Sequence, residues 1–154
     1  MKFLRQSIES ALLVALLLLS GCVPYEGVFV EASRPGVAIS QSEASVAKEV
    51  SDQVASELNL ERASEGELAA YNAYIRQFGT KTETLAMYYF PGNGHQLAIL
   101  VSKRPGSPLD PGALVVQPAS LRVKERTLRR IAELFNRSVG PGRAKFEVRS
   151  NLGW

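Results

Sequence analysis

The sequence is poor in the residues that build compact chemical sites: 154 residues hold one cysteine (Cys22), one histidine (His95) and one tryptophan (Trp154). A single cysteine excludes an internal disulfide, and one cysteine with one histidine cannot assemble a structural zinc site. Long apolar runs are missing too. The longest, Ala11–Leu19, has nine residues, well short of the roughly 20 that span a bilayer as a helix. No Gly-x-Ser-x-Gly elbow is present, and Pro91-Gly92-Asn93-Gly94 lacks the following Lys-Ser/Thr of a phosphate loop. With 45% hydrophobic and 21% charged residues, the chain is neither a disordered polymer nor a multi-span membrane protein. Its length suits one small domain.

What is present begins with an export segment. Lys2 and Arg5 precede the apolar run, which ends in Leu19-Ser20-Gly21-Cys22. A basic start, a short apolar core and small residues form a secretory signal. The tetrad resembles the lipobox of bacterial lipoproteins, a branched apolar residue and two small ones before cysteine. The resemblance covers only this segment. It implies cleavage between Gly21 and Cys22, a diacylglycerol thioether on Cys22, and acylation of the new amino group by a chain such as palmitate. Residues 1–21 are then a removed signal peptide and 22–154 one anchored domain. No other cofactor is implied. Each buried methylene contributes about 0.8 kcal/mol, and two or more chains make attachment stable. Val23 rather than Asp follows the cysteine, which in the resemblance implies transit to the outer membrane, with the domain facing the periplasm. Export removes nucleic acid as a partner.

In the remainder, Tyr25–Glu31 reads as a strand weakened by Gly27. Ser40 with Glu43 and Ser64 with Glu67 fit capping boxes that open two helices. The first carries Val46, Val50, Val54 and Leu58, and the second Leu68, Tyr71, Ile75 and Phe78, with Gly79 as its stop. Residues 82–90 and 96–102 flank an Asn-Gly turn as a hairpin. Residues 103–112 form a loop rich in proline and glycine. Residues 113–117 read as a short edge strand. A third helix is expected from Ser120, with Leu121, Leu128, Ile131, Leu134 and Phe135 buried, and a last strand over 144–150. The order predicts an α+β two-layer sandwich, a mainly antiparallel sheet with helices on one face. Setting one helix aside leaves a split βαβ pattern of the ferredoxin-like type.

Charge is unevenly distributed. Residues 22–100 carry 5 basic and 10 acidic side chains, whereas 101–154 carry 11 and 4. Arg122, Arg126, Arg129, Arg130 and Arg137 are expected on the outer face of the third helix. They form either a surface for an anionic lipid, glycan or acidic envelope partner, or a solvated face balanced by the acidic helix over 43–57. Catalytic candidates are thin. His95 would have to serve as the base of a triad. Paired carboxylates would have to come from Glu83, Asp110 and Glu147. Asn136-Arg137-Ser138 matches a glycosylation sequon, without meaning in a bacterial-type lipoprotein. Tyr71, Tyr74, Phe78, Tyr88, Tyr89 and Phe90 are either core or the lining of a lipid or glycan pocket. The sequence therefore favours a non-enzymatic, membrane-anchored assembly or accessory factor working through protein contacts. The alternatives are a lipid- or glycan-binding lipoprotein and, behind it, a cell-wall or lipid hydrolase.

Overall fold

A computed structural model describes residues 25–92 and 96–149. The export segment, Cys22, His95 and Trp154 lie outside the described residues. The elements are β1 (Tyr25–Glu31), α1 (Gln41–Glu57), β2 (Glu61–Arg62), α2 (Glu65–Arg76), β3 (Glu83–Tyr89), β4 (Leu97–Arg104), β5 (Ala113–Pro118), α3 (Glu125–Val139) and β6 (Ala144–Arg149). Two compact units divide the chain, Glu26–Glu147 and a second made of Met1–Tyr25 with Val148–Trp154. The first holds the three helices of the described residues. In the second, Val148 is exposed.

The protein is α+β. One six-stranded sheet has the order β2-β3-β4-β5-β1-β6, and the pairs β2/β3, β3/β4, β4/β5 and β5/β1 are antiparallel. The subset β4-β5-β1-β6, joined through α1 and α3, is where a ferredoxin-like arrangement would be sought; β2, α2 and β3 extend the sheet past it. One expectation about the strands changes, and one strand is added. β5 is not an edge strand, because β4 and β1 pair with it on either side. The short strand β2, too brief to leave a period in the sequence, pairs with the end of β3.

Both capping boxes form. Ser40 accepts from the Glu43 amide while Glu43 accepts from the Ser40 amide, and Ser64 and Glu67 repeat the exchange. Each satisfies amide groups that a helix start leaves open. α1 buries Ala44, Ala47, Val50, Ser51, Val54 and Ala55. α3 buries Leu128, Ile131, Ala132 and Phe135. These two stripes pack on Val28, Val30, Ala86, Tyr88, Ile99, Val101, Leu114 and Val116. The Tyr88 hydroxyl, inside this core, donates to Asp52 of α1 at 2.8 Å, and Asp52 also accepts from Arg62 at 3.0 Å. A buried phenol thereby keeps its hydrogen bond.

Strand alternation places Phe29, Met87, Leu100 and Val115 on the other face, between core neighbours. Register sets Phe29 opposite Val115 and Met87 opposite Leu100, and all four are buried. The sheet is thus apolar on both faces, which explains why its strands read as continuous apolar runs rather than as a clean alternation. Gly27 belongs to the same face. A Cβ there would meet the Phe29 ring and the Val116 carbonyl, each at 3.2 Å. The glycine that weakens β1 in propensity makes room for Phe29 in packing.

The third helix begins five residues later than expected, at Glu125. Ser120 is the cause: its hydroxyl accepts from the Arg122 amide and its carbonyl from the Val123 amide. A closed serine turn competes with the helix. Leu121 is consequently not a core residue; it is 96% exposed.

Candidate functional site

Five arginines carried the sequence-based surface, and the structure separates them. Arg130 donates from Nε and Nη2 to the two carboxylate oxygens of Glu57 at 3.0 and 2.8 Å. This pair ties α3 to the end of α1. Hydrogen bonding from Arg130 holds the Glu57 carboxyl below its ordinary range despite a smaller opposing effect of desolvation, and Glu57 in return raises Arg130. Arg129 pairs with Glu125 at 2.5 Å, one helical turn away, and its guanidinium stands 4.5 Å from the Phe146 ring centre. Arg122 lies off the helix, 3.9 Å above the centre of the Phe90 ring and donating to the side-chain Oε1 of Gln96 at 3.4 Å. Arg126 and Arg137 are exposed and make no ion pair or hydrogen bond among the described residues. They are 11 residues apart on one side of α3, about 16 Å along its axis. The balancing by acidic α1 is therefore realised at Arg130, and the available charge sits at Arg126 and Arg137.

The six aromatics do not converge. Tyr88 is core, while Tyr89, next along the strand, points to the other face. Burial raises the Tyr89 phenol, and the nearby Glu67 and Tyr71 add to the effect. Tyr74 and Phe78 are 56% and 71% exposed and touch edge to face, with centroids 5.1 Å apart. The expectation that Phe78 completes a buried stripe on α2 is corrected, since α2 buries none of its residues fully. Its partly covered side is Leu68, Tyr71, Asn72 and Ile75, leaving Ala70, Ala73, Tyr74 and Phe78 facing out. An apolar outer face on an amphipathic helix is unusual for a solvated surface and suits contact with another molecule.

The carboxylate candidates are scattered as well. Glu83 opens β3 and Glu147 lies in β6, with β4, β5 and β1 between them. Four strand spacings of about 4.8 Å separate those strands by roughly 19 Å, beyond the distances of paired carboxylates in glycoside cleavage. Asp110 is exposed in the loop before β5, where its carbonyl and amide bond to Ser107. No group of three or more His, Cys, Asp or Glu side chains that could hold a metal occurs among the described residues.

Two arrangements left no trace in the sequence. One is the cluster of Arg122, Phe90, Gln96 and Ser120, assembled from two loops at one end of the sheet. The other is Arg143, just before β6. It pairs with Glu43 at 2.7 Å and donates to the Glu31 carbonyl at 2.5 Å, joining the start of α1 to the end of β1. Burial by itself would raise the Glu43 carboxyl, but hydrogen bonds from Arg143 and Ser40 outweigh it and the net shift is downward.

No protein-family model, curated protein or solved structure matches this chain.

Proposed function

We propose that the protein is a lipid-anchored envelope lipoprotein that acts without catalysis, as an assembly or accessory factor contacting another envelope protein. The observation that carries the reading is the Leu19-Ser20-Gly21-Cys22 sequence, separated from β1 by only Val23 and Pro24. So short a link holds the folded domain at the bilayer surface. Acylation at Cys22 supplies the anchor, and the domain faces the periplasm from the outer membrane. Two surfaces support a role in contact. Arg126 and Arg137 offer unpaired cations for an acidic partner, and Tyr74 with Phe78 offers exposed aromatic area, the kind enriched at interface hot spots. The dispersal of the aromatics speaks against a common ligand pocket, so the lipid- or glycan-binding alternative ranks second.

Cys22→Ser abolishes signal processing and sedimentation with membranes if the reading is right. Arg126→Glu with Arg137→Glu then lowers recovery of the envelope partner after crosslinking in cells, while Arg130→Glu serves as a comparison that disturbs the Glu57 pair. Unchanged processing and sedimentation of Cys22→Ser would refute the anchor. Unchanged recovery with the double reversal would refute the basic contact.

A further inference from the structure

We infer that the turn carrying Leu121, Arg122 and Lys124 is a second membrane contact, which seats the domain on an anionic phospholipid surface. The inference rests on the anchored reading above, and its first support is direction within the sheet. Val28 pairs with Val116 and Glu31 with Ala113, so β1 begins at the end of the sheet where β5 finishes. The chain leaves β5 at Pro118 and enters the Ser120–Val123 turn directly. The turn therefore stands at the same end of the sheet as the start of β1. From Cys22 to Glu26 are four residue steps, which reach at most about 14 Å. With acyl chains on Cys22, chain length alone keeps Glu26, at the end of the sheet that also carries the turn, within that reach of the lipidated residue.

The second support is what projects. Leu121 is the most exposed large apolar residue of the described chain, at 96%. It is held there rather than left loose. The Val123 amide donates to the Ser120 carbonyl at 3.0 Å, closing a turn with Leu121 and Arg122 at its tip. Val123, next along, is buried in the core and pins the turn from below. The third support is charge. The Lys124 ammonium donates to the Leu121 carbonyl at 3.5 Å, beside the tip. Arg122 is braced on Phe90, and Arg126, the second residue of α3, has no partner among the described residues. Of the acids toward this end, Glu57, Asp52 and Glu125 are paired with Arg130, Arg62 and Arg129, Glu67 is engaged in the capping box of α2, and Glu26, Glu61 and Glu147 lie on β1, β2 and β6.

A single exposed leucine needs no explanation by itself. Leu109 provides the internal comparison: it is 87% exposed, but its loop joins Arg104 to Ala113 at the opposite end of the sheet, beside Asp110. Only Leu121 combines an apolar tip, flanking cations and nearness to the anchor. Apolar insertion together with attraction to anionic headgroups is the recipe for interfacial binding.

The test uses the full lipidated protein in vesicles. Cys22 is consumed by lipid, so Leu121→Cys and Leu109→Cys each give one site for an environment-sensitive fluorophore. In phosphatidylcholine vesicles containing phosphatidylglycerol, the probe at 121 is quenched by brominated acyl chains and shielded from iodide, whereas the probe at 109 is open to iodide. Lys124→Gln lowers the ratio of docked to undocked protein about fivefold, the effect of one juxtamembrane cation. Three outcomes overturn the inference while the protein still floats with vesicles: equal iodide access at 121 and 109, shielding at 121 without bromolipid quenching (contact between copies), or quenching that ignores phosphatidylglycerol. Failure of the wild-type protein to float removes the anchor reading and this inference with it.

Discussion

Asn136 of α3 closes a two-bond ring with the backbone of Ala144: its amide nitrogen donates to the Ala144 carbonyl at 2.9 Å, and its amide oxygen accepts from the Ala144 N–H at 2.7 Å. Asn72 of α2 does the same to Thr84, with both bonds at 2.8 Å. Twice, then, a helical asparagine presents the donor–acceptor pair of a peptide group to the strand that follows. Each satisfies strand backbone that would otherwise be left without those bonds. Asn136→Ala removes both bonds and leaves partly buried backbone groups open, at a cost of about 2–3 kcal/mol. Asn136→Asp keeps only the accepting half and sets a carboxylate against the Ala144 carbonyl, so it is not a rescue. Urea denaturation monitored by circular dichroism measures both. A change under 0.5 kcal/mol for the alanine variant would refute the clamp.

Glu43 links stability to acidity. Its folded carboxyl titrates below the ordinary value of 4.5, so the contribution is complete above pH 4.5 and disappears as pH falls through the folded value. Glu43→Gln retains an acceptor for the capping box but loses the charge facing Arg143. It costs about 1 kcal/mol at neutral pH, and the gap to wild type closes in acid. Parallel curves across that pH range would show that the pair contributes nothing.

Ser51 faces the core from α1 with no hydrogen bond to its hydroxyl. A buried unsatisfied hydroxyl is unfavourable and alanine is the better helix former. Ser51→Ala should raise stability by about 0.5–1 kcal/mol, seen as a higher melting temperature. A fall in melting temperature would indicate a hidden partner.

Leu121 and Leu128 share one apolar pattern in the sequence and differ in burial. Leu128 is wholly buried and Leu121 almost wholly exposed. Leu128→Ala costs about 2–5 kcal/mol, while Leu121→Ala stays within about 0.5 kcal/mol. Equal effects would mean the helix starts earlier than Glu125.

Sequence alone determined those features whose physics is local. A capping box is written within four residues, so the starts of α1 and α2 were legible at Ser40 and Ser64. A run such as residues 97–102 has strand propensity wherever it is placed, and Leu128, Ile131 and Phe135 share a helix face by period alone. The lipobox-like pattern Leu19-Ser20-Gly21-Cys22 is likewise written within four residues. Tertiary structure decided what depends on partners distant in sequence. It set β5 between β4 and β1, turned Phe78 outward, and neutralised Arg130 with Glu57, 73 residues away, while leaving Arg126 unpaired. Leu121 leaves its helical pattern for a local reason that apolar spacing does not show: the turn at Ser120 satisfies the amides a helix would have used. Local spacing fixes which residues share a face; only the packing of one element on another decides which face meets water.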